Sequence, residues 1–140
     1  MQPPSVQTAS LFDQFLQAAS AQPEPQRMLF VFAAAELPDD ATPAQREGFS
    51  AGQGGTLTPL MCVDKSPADL AGFDALVAEA SEAGPSWDVV FAAGLSGRSG
   101  RAPSAEQVER ALDTMVEQVR IGRIGSLLAL DRSGEGLQFV

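Results

Sequence analysis

The sequence predicts a single α/β domain: a mixed, mostly parallel central sheet of about five strands, flanked by helices and ending in a β-hairpin. Three observations predict it. Apolar runs of strand length alternate with segments of helical period, the order expected when helices cover a sheet. The runs show no polar alternation, as in strands buried on both faces, which is the habit of parallel sheets. The 140 residues, 44% of them hydrophobic with eight Phe and one Trp, suit one core. A chain of that length buries roughly two thirds of the surface its unfolded form exposes. The domain is placed at residues 9–140, behind a flexible terminus at 1–8.

Each element has its own signal. In "SLFDQFLQAASAQ", Leu11, Phe12, Phe15, Leu16 and Ala19 share one helical face, and Ser10 with Asp13 resembles a capping box. "PEP" at 23–25 ends that helix, and "RMLFVFAAAEL" follows as a buried strand. The segment 38–55 is long for a connection. Thr42, Pro43 and Gln45 suggest a short helix inside it, and four glycines (48, 52, 54 and 55) suggest a loop that opens easily. "TLTPLMCVD" is a second strand, in which Pro59 implies an edge position, a bulge or a late start at Leu60.

"SPADLAGFDALVAEASEAGP" reads as a helix capped by Ser66, with Pro67 first, Asp69 completing the box, and Gly84 and Pro85 as the stop. "SWDVVFAAG" is the third strand. The helix "SAEQVERALDTMVEQVRIG" turns Val108, Leu112, Met115 and Val119 inward, with six charged residues outward. "GSLLALDRSGEGLQFV" completes the chain as two strands joined at Arg132–Gly136.

Composition narrows the chemistry. The net charge is −9, with twelve acids against Arg27, Arg46 and Lys65 in residues 1–90, and six of each sign in 91–140. Such a domain repels a phosphate backbone, so no nucleic-acid partner is expected. Apolar runs too short to span a bilayer predict no membrane partner. With no His, Ser-His-Asp triads, Cys-His dyads and imidazole metal sites are absent. General acid–base work would fall to carboxylates, Lys65 or Cys62. Cys62, the lone cysteine, forms no intramolecular disulfide, reads as a buried and inert strand thiol, and fits a cytoplasmic protein.

Parallel sheets bind ligands beyond the carboxyl ends of their strands. The polar groups there are Glu36, Asp39 and Asp40 after the first strand, Asp64 and Lys65 after the second, and Ser96, Arg98, Ser99 and Arg101 after the third. The candidate ligand site is therefore Asp64, Lys65, Ser96, Arg98, Ser99 and Arg101 on one rim. "GLSGRSGR" at 94–101 raises the sharpest question, with three glycines and two arginines before a helix start. It offers an anion close backbone approach and charge. It also lacks the Gly-Lys-Ser/Thr of a P-loop, and its glycines recur every three residues rather than in dinucleotide spacing. A simple turn is the competing reading. Acids at 36–40 with Asp64 could hold a divalent ion, but turn chemistry explains them more simply. No catalytic residue, metal or cofactor is assigned.

The runs "QPEPQRMLFVFAAAELPDDATPAQREGF", "GGTLTPLMCVDKSPADLAGFDALV" and "VVFAAGLSGRSGRAPS" resemble blocks of a family of short bacterial proteins, over about residues 8–140. Members often carry the label "ribonucleotide reductase subunit alpha". The label implies a radical enzyme whose large subunit uses a thiyl cysteine and a separate reducing pair. This chain departs from that pattern, with one cysteine and a fraction of the length.

Two functions remain open. One is a small acidic non-catalytic binding or regulatory module that recognises a protein partner or a small anion. The other is a small enzyme using carboxylates, Lys65 or Cys62, with the loop 94–101 holding an anionic substrate.

Overall fold

A computed structural model describes residues 10–36, 42–44 and 56–137. Four strands form one sheet: β1 (Gln26–Glu36), β2 (Thr56–Lys65), β3 (Val89–Ser96) and β4 (Leu128–Asp131). Their order is β2-β1-β3-β4, and every neighbouring pair is antiparallel. The mostly parallel five-stranded sheet predicted from sequence is therefore wrong. The physical reason is that a continuous apolar run reports burial on both faces and says nothing of direction. Met28 to Ala33 are all buried, because helices cover both faces of this antiparallel sheet. Parallel relations survive only between strands that are not neighbours, β2 with β3 and β1 with β4.

Helices α1 (Leu11–Ser20) and α2 (Phe73–Ala83) cover one face, and α3 (Ala105–Ile121) covers the other. The first face is aromatic. Phe12, Phe30, Phe32 and Trp87 are buried there, with Phe12 edge-on to Phe73 at 5.4 Å and Phe32 edge-on to Trp87 at 5.0 Å. Arg132 covers the outer side of the Trp87 ring at 5.5 Å. The second face is mostly aliphatic: Leu29, Val31, Ala33, Val89 and Ala129 with Phe91, under Val108, Met115 and Val119.

The ends of the elements follow local chemistry. The Ser10 hydroxyl accepts from the Asp13 amide at 3.1 Å and caps α1. Ser104 and Gln107 form a reciprocal capping box on α3, and Gly122, at φ 80°, closes it. The helix predicted from Ser66 begins later. Pro67–Asp69 form a single 3₁₀ turn, and Gly72, at φ 146°, breaks the path before α2 starts at Phe73. Ser66 donates to the Asp69 carboxylate at 2.8 Å instead of capping a backbone amide.

β2 is an edge strand, half-exposed rather than central, and a register shift opposite Phe32/Ala33 lets it continue through Pro59 to Thr56. Both the edge and the bulge answer the proline. At the other edge, the chain turns back after β4, and the Leu137 amide donates to the Ala129 carbonyl at 2.9 Å. Pro43 and Ala44 are helical and Thr42 precedes them; the other residues of 38–55, with the loop expected there, and the terminus at 1–8 lie outside the described residues.

Candidate functional site

One helix cannot cover the aliphatic face. Four strands about 4.8 Å apart span roughly 19 Å with their side chains, whereas a helix is about 10–12 Å across. Helix α3 packs mainly over β1 and β2, and clefts open along both of its flanks. Pro103, in the segment that leads into α3, lines both.

The first cleft, about 530 Å³, lies between β2 and α3. Alternation along the strands sends Arg27, Cys62 and Asp64 to this face, since Leu29 pairs with Asp64 and Val31 with Cys62. The helix supplies Val108 and Leu112, and beside them Glu109 and Asp113, each pair one turn apart. The Arg27 Nε donates to Asp64 at 2.6 Å, with both side chains about one third exposed, 34% and 32%. Three carboxylates thus face one guanidinium, over an apolar wall.

Cys62 is exposed on β2, which corrects the reading of a buried strand thiol. The edge position explains it, because nothing pairs beyond β2 among the described residues. Partial burial of the sulfur first, and then the Asp113 and Asp64 carboxylates, push its pKa above the ordinary thiol value. Desolvation and like-charge repulsion both disfavour the thiolate. This is a protonated, weakly nucleophilic thiol at neutral pH. Among the described residues no cluster of three or more acids and thiols is arranged to hold a metal ion.

The second cleft, about 380 Å³, lies between the end of β3 and the opposite flank of α3. Ser96, Arg98, Gln107, Arg110 and Thr114 line it, and no acid does. Arg98 comes from the Gly-rich loop. That loop is a tight turn: the Arg98 amide donates to the Arg101 carbonyl at 2.9 Å, and the Arg101 amide returns a bond of 3.0 Å. Ser99 and Gly100, at φ 55° and 78°, form its tip with the paired positive φ values of a type I′ turn. A side chain at Gly97 would run into the Arg101 carbonyl, so this glycine permits the close approach.

The backbone groups that an anion would use are already taken. The Gly100 amide donates to the Glu24 carboxylate at 2.8 Å, the Gly97 amide to the Pro25 carbonyl at 2.7 Å, and the Gln107 amide to Ser104 at 3.1 Å. The protein's own carboxylate occupies a donor at the tip of the loop.

The predicted rim divides in the structure. The ends of β2 and β3 lie together, beside the start of β1, with Met28 opposite Lys65 and Gln26 opposite Ser96. Glu36 sits at the far end of the sheet, opposite Thr56. Seven residues of β1, roughly 24 Å, separate Glu36 from Leu29, the partner of Asp64, so those two acids share no ion. Asp39 and Asp40 lie outside the described residues.

Asp64 faces α3, but Lys65, one residue on, turns to the aromatic face and pairs with Glu79 of α2 at 2.7 Å. Ser96 and Arg98 line the second cleft, while Ser99 and Arg101 line neither. Arg27, Glu109, Arg110 and Asp113 carry much of both clefts, yet the last three read from sequence as a solvated helix face. Their one visible signal is segregation: Glu109 and Asp113 stand at i, i+4, with Arg110 on the other side.

The class defined by this geometry is a four-stranded antiparallel α/β sandwich with clefts of opposite charge along one helix. Compared with protein-family models, with curated proteins and with solved structures, the chain matches none of them. No helix among the described residues is long and apolar enough to cross a membrane.

Proposed function

We propose that this protein is a small non-catalytic binding module that takes a cationic, partly apolar segment of a partner protein into the cleft between β2 and α3. One observation carries the reading. Asp64, Glu109 and Asp113 outnumber Arg27 in a cleft floored by Val108 and Leu112, so it complements a basic side chain flanked by aliphatic ones. The net charge of −9 favours the same class of partner at long range.

The groups an enzyme would need are poorly placed for chemistry. Cys62 is held protonated, and Lys65 is engaged with Glu79 on the opposite face of the sheet. The reductase label is not taken up, since its radical chemistry requires more cysteines than the one present. A cytoplasmic location belongs to the same proposal, supported by a single cysteine that leaves no intramolecular disulfide to form.

The test is an amide titration with a short peptide of alternating Arg and Leu, beside an alternating Glu and Leu control. The basic peptide is expected to give saturable shifts centred on Cys62, Asp64, Glu109 and Asp113 that weaken with salt. A Glu109→Lys/Asp113→Lys double variant should abolish them. Shifts spread evenly over the surface, or unchanged in the double variant, would sink the reading.

A further inference from the structure

The cleft on the other flank of α3 has the opposite chemistry, and it carries a conclusion independent of the peptide site. We infer that Arg98, Gln107 and Arg110 form a subsite for a single oxyanion, a carboxylate or a phosphate group. Arg98 and Arg110 are donors only, and Gln107 has its acceptor already in use. Ser96 lends the cleft only its backbone, since its Oγ turns to the other side of the sheet and accepts from the Gln26 amide nitrogen at 2.9 Å. The Gln107 Oε1 accepts from the Ser104 amide at 2.8 Å, leaving the NH₂ end to give. Thr114 spends its proton on the Arg110 carbonyl at 3.1 Å and contributes no donor.

The two guanidiniums supply the charge. Arg98 has no carboxylate partner among the described residues. The backbone beneath it is fixed by both bonds of the turn, so the arginine enters the cleft from a rigid base. Arg110 is held by Glu106 one turn back at 2.9 Å, in a pair exposed at 73% and 81%. So exposed an ion pair is weak and yields readily to a better anion. Glu106 is therefore a built-in competitor. Two forks beside the Gln107 amide suit an oxygen triad or pair that accepts several charge-assisted bonds. The overall negative charge opposes this only at long range, since screening takes over beyond about 8 Å at physiological salt.

This assigns the arginines of the Gly-rich loop different work. Arg98 binds, and Arg101 shapes the turn. The experiment is an amide and arginine side-chain titration with inorganic phosphate, with acetate, and with chloride at matched ionic strength. Phosphate is expected to give saturable shifts at Ser96, Arg98, Gln107 and Arg110, stronger than those of acetate. A preference for acetate would point to a carboxylate ligand within the same site. Arg98→Gln should weaken binding at least about tenfold. Glu106→Gln should tighten it about twofold by releasing Arg110, and Arg101→Gln should leave it unchanged. Equal shifts with chloride, no shifts with either oxyanion, or binding that survives Arg98→Gln would overturn the inference. None of these variants touches the β2–α3 cleft, so failure here and failure of the peptide reading are separable.

Discussion

The two faces of the sheet solve the same covering problem differently. Two short helices cover the aromatic face and one long helix covers the aliphatic face. On the first, Phe and Trp rings fill the space between helix and strand, and the polar residues near it, such as Lys65 and Glu79, pair with each other. On the second, smaller side chains bring α3 down onto β1 and β2 and leave clefts beside it. A face thinly covered is where charged groups can gather without being buried. Under the proposed function, the molecule keeps stability on one side and recognition on the other.

The largest test of that division is in the core. Phe30→Ala, on the aromatic face, should cost about 3–5 kcal/mol, and Met115→Ala, under α3, about 2–3 kcal/mol. Urea unfolding curves of both variants measure the gap. A larger loss for Met115→Ala would place the weight of the fold on the face assigned to binding.

Next is the anchor of α3. Ser104→Ala removes the hydroxyl that accepts from the Gln107 amide, while the backbone amide of residue 104 can still donate to the Gln107 Oε1. A loss of about 1 kcal/mol is expected. The same change should leave phosphate in the second cleft nearly unchanged, because that backbone bond still orients the Gln107 side chain. If phosphate affinity falls together with stability, the anion depends on the start of α3 as a whole and not on the Gln107 side chain alone.

The thiol offers a finer probe of the acidic cleft. Because the Cys62 pKa is raised, its alkylation rate should climb with pH to a midpoint above that of a free thiol, with native labelling slow at neutral pH despite exposure. Removing a negative neighbour acts in the opposite direction. Asp113→Asn should shift the midpoint down and speed labelling at pH of about 8, by less than tenfold, as for one partly screened charge. A profile identical to wild type would mean that Asp113 does not face the sulfur.

The smallest expected effect is Lys65→Ala. Its pair with Glu79 is half in solvent, so the stability change should stay within about 1 kcal/mol, and neither ligand titration should move. Loss of peptide binding in this variant would connect the two faces after all.

Much of this architecture was legible in the residues. The caps at Ser10 and Ser104, the stop at Gly84, and the strands at 27–36 and 89–93 follow from local chemistry that tertiary structure left intact. Strand direction was not legible, since Met28–Ala33 would be equally apolar in either orientation under two helical layers. The clefts were half legible. Asp64, Ser96 and Arg98 were visible as strand-end polar groups, whereas Glu109, Arg110 and Asp113 became site residues only through the width of the sheet. No local pattern encodes that width. The turn at 98–101 shows the reverse case: its glycines serve backbone geometry, and a motif search would have credited them with ligand contact.

The place of β1 has a consequence during synthesis. This strand lies between β2 and β3, yet it leaves the ribosome well before either, and β3 is complete only at Ser96, sixty residues after Glu36. At about 5–20 residues per second, that delay is roughly 3–12 s. Throughout it, the run Met28–Ala33, apolar on both sides, has at best one neighbour and an incomplete helical cover. An antiparallel pairing with β2 can form first and shield one edge. The nascent chain thus depends on an early β1–β2 ribbon, and changes that slow it should lower yield in the cell even where the finished protein is as stable as before.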